Sequence, residues 1–101
     1  MLWIPLISTK EKFRGDRVLV LAGALKKASR EPDSFKVRQA FVSDDGRTIC
    51  IEYSGRNGFG GVSVEQVVQA GDEVHQNSAA QWNKHCAGKP LLDYTHRIAL
   101  Y

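Results

Sequence analysis

Cys50, Cys86, His75, His85 and His96 are of the residue types that ligate zinc or copper. Adjacent helical residues point about 100° apart, so His85 and Cys86 cannot readily share one ion. None of the spacings matches a known ligand set, and no pattern implies a metal or any other cofactor. A cysteine nucleophile would need a thiolate beside a base in a cleft. Cys86 instead falls on an apolar helix face with Trp82, the setting of an inert thiol. Three readings of the cysteines stay open: a Cys50–Cys86 disulfide, two buried thiols, or a thiol-dependent enzyme using Cys86 and a histidine.

The second constellation is Arg56-Asn57-Gly58-Phe59-Gly60-Gly61, the most glycine-dense stretch. Its backbone N–H groups and its arginine could cradle a phosphate or carboxylate. A P-loop would follow its last glycine with Lys-Ser/Thr and a helix, whereas Val62-Ser63 follows here and reads as a strand. The competing expectation is structural: the glycines turn the chain while Phe59 plugs the core. Arg30, Lys36, Arg38, Arg47, Arg56, Lys84, Lys89 and Arg97 could join into a basic patch for nucleic acid, with Lys36, Arg38 and Arg47 serving the glycine loop, and Tyr53, Phe59 or Trp82 could stack on bases. Asp44, Asp45, Glu52, Asp72 and Glu73 interrupt that patch, which argues against a dedicated nucleic-acid surface. Asp93 lies between Leu92 and Tyr94 and is expected to hold an internal hydrogen bond.

These residues must be positioned by a small α+β domain spanning 1–101. Two runs rich in β-branched and aromatic residues flank Asp44-Asp45-Gly46, predicting a hairpin over 35–54. A three-residue loop pairs Ser43 with Arg47, Phe41 with Ile49, Gln39 with Ile51 and Val37 with Tyr53. It also sets Arg38 against Glu52, and Ala40 against Cys50. A four-residue loop would slip the register by one and scatter the apolar set. Val18, Leu21, Leu25 and Ala28 recur at helical spacing, predicting a helix over 16–29 that Pro32 stops. A third strand is expected over 61–69, closed by a turn at Ala70-Gly71-Asp72-Glu73. Asn77 or Ser78 caps a helix over 79–87, with Ala79, Trp82 and Cys86 inward and Gly88 at its end. The expected architecture is a small antiparallel sheet, a hairpin plus a third strand, packed by an N-terminal helix and a short C-terminal helix. The tail 91–101 reads as a last strand or a short helix. The apolar arm 1–7 is expected to dock on the core or to exchange in a dimer, with Ser8 or Thr9 capping a helix.

A chain of 101 residues, 43% hydrophobic and 25% charged, has ordinary globular composition for one domain. A formal charge of +3 permits an acidic partner without demanding one. No apolar run reaches the ~18 residues of a membrane span. Met1 to Ile7 lack the basic start and small-residue cleavage site of a signal peptide, so the sequence as it stands reads as cytoplasmic. An upstream signal missing from it would make the protein periplasmic.

Glu31-Pro32-Asp33-Ser34-Phe35-Lys36-Val37, Cys50-Ile51-Glu52-Tyr53 and Asn57-Gly58-Phe59-Gly60-Gly61 form an ordered set. With Trp82-Asn83-Lys84-His85-Cys86, it resembles a group of small bacterial proteins. Those carry an Asp-Pro-x-Ser-x-Lys/Arg-Phe lead-in to a hairpin, a Cys-x-Glu strand and an Asn-x-Phe-Gly-Gly loop. They occur as exported or lipid-anchored proteins and as products of phage and mobile gene cassettes, integrons included. The resemblance spans roughly residues 24–88 and implies the hairpin-plus-glycine-loop architecture, with no assigned activity. Phe35 directly after Ser34 departs from the lead-in of many members. The expected function is a non-catalytic binding or interaction module, monomeric or homodimeric, using the Arg56–Gly61 loop and the sheet edge, with Arg38 a further binding candidate. The alternatives are an anion or nucleic-acid binder at the same loop, and the thiol enzyme.

Overall fold

The computed structural model describes residues 9–98, and the side chain of Arg97 is left aside. Expectations for the arm 1–7, for Ser8 and for the last residues of the tail lie outside the described residues. Helix α1 (Thr9–Ala28) precedes strands β1 (Lys36–Val42), β2 (Thr48–Arg56), β3 (Val62–Ala70) and β4 (Glu73–Gln76). Helix α2 (Ala79–His85), the two-residue strand β5 (Leu92–Asp93) and a 3₁₀ turn at Thr95–Ile98 follow. The strands form one antiparallel sheet in the order β4-β3-β2-β1-β5. The architecture is therefore α+β with a small antiparallel sheet, an N-terminal helix and a short C-terminal helix. Among the described residues no helix is long and apolar enough to cross a membrane.

Helix α1 lays Val18, Leu21, Ala22 and Leu25 on the sheet, the i, i+3, i+4, i+7 stripe of an amphipathic helix. Among the described residues it runs from Thr9, near the expected cap at Ser8 or Thr9 and ahead of the periodic stretch expected from Asp16, and its first turns are anchored by polar contacts. Lys10 pairs with Asp44, Arg14 donates to Tyr94 Oη (3.1 Å) and Asp44 O (2.9 Å), and Arg17 donates to Gly71 O (3.1 Å). Side chains that reach loops leave no apolar period to read.

The hairpin corrects the expected register. Ser43 N donates to Thr48 O (2.9 Å), so the loop holds four residues, not three. Side chains build it: Asp45 Oδ1 accepts from Ser43 Oγ (2.6 Å) and Arg47 N (3.0 Å), while Ser43 Oγ accepts from Thr48 N (3.0 Å). Val42 thus pairs with Ile49, Ala40 with Ile51 and Phe41 with Cys50. The pattern is not scattered, because a bulge at Arg38 absorbs one residue and returns Val37 to Tyr53. Val37, Ala40, Val42, Ile49, Ile51 and Tyr53 all face α1 in the main core. Ala40 therefore lies on the face away from Cys50.

The opposite face carries a second, smaller cluster of Cys50, Val68 and Cys86 beneath Phe41, Trp82 and Leu91. Helix α2 sits there, capped by Ser78, whose Oγ accepts from Gln81 N (3.3 Å). Its Trp82 and Cys86 face the sheet, whereas Ala79 is exposed. Cys50 and Cys86 are joined by a disulfide with Cα atoms 6.2 Å apart. Two helices thus sandwich the sheet, and the covalent link ties the second one down.

Strand β4 was not expected from the sequence; Gly71, at φ 62°, turns the chain back so that Glu73–Gln76 pairs with the end of β3. The tail supplies both expected forms, a short strand and a helical turn. Tyr94 N donates to Ala40 O (2.8 Å), and Ala40 N donates to Thr95 Oγ1 (3.1 Å). Asp93 Oδ1 accepts from Thr95 N (2.9 Å), the internal bond expected of it; the Thr95 hydroxyl first, and this backbone bond second, hold its carboxyl below the ordinary value.

Candidate functional site

Strands β2 and β3 outrun β4, and their far end closes in the glycine-rich tip. Asn57 organises that tip. Its N–H donates to Gly61 O (2.8 Å), and its Oδ1 accepts from Phe59 N (2.9 Å) and Gly61 N (3.0 Å). Its amide Nδ2 donates to Ser63 Oγ (3.2 Å), and Gly60 N donates to Asn57 O (3.2 Å). Gly60 takes φ 82°, which glycine alone adopts freely. The N–H groups of Phe59, Gly60 and Gly61 are therefore spent inside the tip, so an anion nest cannot rest on them. The cations nearby must supply any anion contact.

Phe59 does not plug the core. It is 100% exposed, because residues 58–60 form the tip beyond the last paired position and its ring projects past the packed rows. A cleft of about 510 Å³ lies beside it, between the C-terminal end of α1 and the β2–β3 hairpin. Leu25, Ala28, Phe35 and Tyr53 supply its apolar lining, and the rings of Phe35 and Tyr53 lie 5.2 Å apart. Arg30, Arg56, Asn57, Glu65 and Gln76 supply its polar groups. Arg30 folds over the tip so closely that a Cβ built on Gly58 would lie 2.6 Å from its Nη1. Gly58 is the residue that lets this guanidinium approach.

At the inner end, Gln76 Nε2 donates to Tyr53 Oη (2.6 Å) and to Glu65 Oε2 (3.3 Å). Burial first, and the Glu65 carboxylate second, push the Tyr53 phenol well above its ordinary value. A phenol held neutral in this way binds through hydrogen bonds and is a poor nucleophile or base.

The structure brings Arg56, Asn57, Gly58 and Phe59 to the cleft; Gly60 and Gly61 shape the tip without lining it. It does not bring Arg38 there. That residue sits on the bulge and reaches Glu52 (Nε to Oε1, 3.4 Å) toward the α2 face of β2. Arg47 lies at the opposite end of the sheet, in the β1–β2 loop. Sequence reasoning placed Arg30 and Tyr53 only in a broad nucleic-acid patch, and it missed Glu65 and Gln76 as site residues. The alternation of Tyr53 and Glu65 on paired strands was a usable signal, but Gln76 depends on the unforeseen β4.

Cys86, being disulfide-bonded, offers no thiolate, so the nucleophile proposed for a thiol enzyme is absent from this structure. Among the described residues no group of three or more His, Cys, Asp or Glu is placed to hold a metal ion. Comparison with known proteins finds no family model, no curated protein and no solved structure that matches the chain.

Proposed function

We propose that this chain is a non-catalytic binding module whose ligand enters the cleft beside Phe59. The observation that carries the reading is the fully exposed Phe59 ring at the lip of that cleft. Covering a phenylalanine is worth about 1.5–3 kcal/mol, and a ring kept in water by an ordered tip is an anchor awaiting a partner. Arg30 and Arg56 favour a ligand with an anionic group, and the Phe35–Tyr53 lining favours a flat apolar part. An aryl carboxylate or sulfonate has both. Titration with benzoate and with anilinonaphthalene sulfonate, followed by amide shifts, tests this. The expected shifts cluster at Arg30, Arg56 and Phe59, and shifts spread over the α2 face would reject the cleft.

A second reading, an anion or nucleic-acid binder, draws on the same two arginines. Glu65 in the cleft, and Lys36, Arg38 and Arg47 outside it, weigh against a nucleic-acid track. A salt-dependent mobility shift with an oligonucleotide would favour it, and unchanged mobility at low salt would remove it. The Cys50–Cys86 disulfide supports an oxidising compartment such as the periplasm over the cytoplasm. Mass analysis of the alkylated native protein in glutathione buffer tests it, because free thiols at equilibrium would withdraw that support.

A further inference from the structure

The outer edge of the sheet is only half covered. Strand β4 pairs with β3 from Val67 to Ala70, and Asn77 closes the next position. Asn77 N donates to Gln66 O (2.7 Å), and Gln66 N donates to Asn77 Oδ1 (2.9 Å). Asn77 then turns the chain away at φ 56°. Backbone groups alternate sides along a strand, so the outward position of Gln66 makes Val62 and Val64 outward too. Among the described residues no hydrogen bond reaches the outward groups of these two valines. Their side chains are also bare, at 68% for Val62 and 52% for Val64.

Sheet edges left open are commonly blunted by lysine, proline or a bulge. The β1 edge of this sheet follows that rule, with Lys36 and the Arg38 bulge, whereas Val62-Ser63-Val64 has none of these devices. We infer that this edge pairs with the same edge of a second copy of the chain, antiparallel, about a two-fold axis at Ser63. In that register Val62 of each copy exchanges both backbone bonds with Val64 of the other. The two Val62–Val64 side-chain pairs cover one another on the α2 face. Glu65, the charged residue of the stretch, falls opposite Gly61, so no like charges meet. The pairing stops where Gln66 is already taken by Asn77, which fixes its length.

The second copy is favoured over a flexible peptide by pre-organisation. So short an edge offers few bonds, and a disordered segment would have to be ordered to make them. A folded strand brings the same bonds and both valines with that ordering already done. So small a contact lies below the ~1,000 Å² of stable interfaces, which makes the dimer a weak one.

Sedimentation of the full chain from about 10 μM to about 1 mM tests this, since weak contacts dissociate in that range. The mass should rise toward the dimer, and the Val62 and Val64 amides should gain exchange protection with concentration. Val64→Lys and, separately, Val62→Lys should each weaken association at least tenfold, whereas Val20→Lys, on exposed α1 surface, should not. A monomer throughout the range, or a dimer that survives both edge variants, overturns the inference. Protection of the two amides only on adding a Thr-Val repeat peptide to a monomer would also overturn it, in favour of a strand-adding partner.

Discussion

Reducing the Cys50–Cys86 disulfide should loosen α2 first and lower global stability by a margin the chain length sets. The two cysteines are 36 residues apart, and closing a loop of that size removes unfolded-state entropy worth about 4 kcal/mol. Small domains are stable by roughly 5–15 kcal/mol in all, so this is a large share. The loss should be uneven. The main core of α1, β1, β2 and β3 contains neither cysteine, whereas the second cluster consists of Cys50, Cys86 and Val68 under three partly buried side chains. Helix α2 runs only from Ala79 to His85, too short to persist without its tether. Urea unfolding of oxidised and dithiothreitol-reduced protein gives the comparison. With a slope of about 1.5 kcal/mol per molar, the reduced midpoint should fall by roughly 2.5 M. Amide exchange at 79–87 should rise while that of β2 stays protected under native conditions. An unchanged midpoint, or equal loss of protection in both places, would refute the reasoning.

Asn57→Ala deletes three side-chain hydrogen bonds in the hairpin tip, and because water can replace some of them the loss should be about 1–2 kcal/mol in urea unfolding. Gly46→Ala should be worse than an ordinary loop change. Its φ is 75° and the new Cβ would lie 2.9 Å from the Phe13 ring, so a cost of about 1–2 kcal/mol is expected. Tyr53 should ionise above the ordinary 10.0 when followed by NMR, and Glu65→Gln should bring it down without reaching that value, since burial remains. A group whose pKa is raised by folding stabilises below its unfolded value, so Tyr53 should make the protein less stable as pH climbs above about 10.

Periodicity carried the parts of the fold that periodicity can carry. Val18, Leu21 and Leu25 marked α1, and the β-branched runs marked β1 and β2. The hairpin register failed because Asp45 and Ser43 bind backbone groups that a turn rule leaves free, and because the bulge at Arg38 has no mark of its own. The N-terminal half of α1 was marked only by the capping signal at Ser8 or Thr9, since Lys10, Arg14 and Arg17 hold it through loops and leave no apolar period. Strand β4 is short and half polar, and its pairing depends on Gly71. Of the site, the glycine loop was legible as a turn with special backbone. The outward Phe59 was not, because aromatic type says nothing about direction when three tip residues project past the sheet. Arg30, Glu65 and Gln76 meet only through tertiary packing.

The most direct test of the cleft is the affinity of anilinonaphthalene sulfonate for the wild type, Phe59→Ala and Val20→Ala, followed by fluorescence. Val20 is 73% exposed on α1 and serves as a largely bare apolar control away from the cleft. Loss of an anchor worth about 1.5–3 kcal/mol predicts roughly tenfold to a hundredfold weaker binding for Phe59→Ala and no change for Val20→Ala. Equal affinity in all three proteins would contradict the account, since the probe would then be reading apolar surface in general.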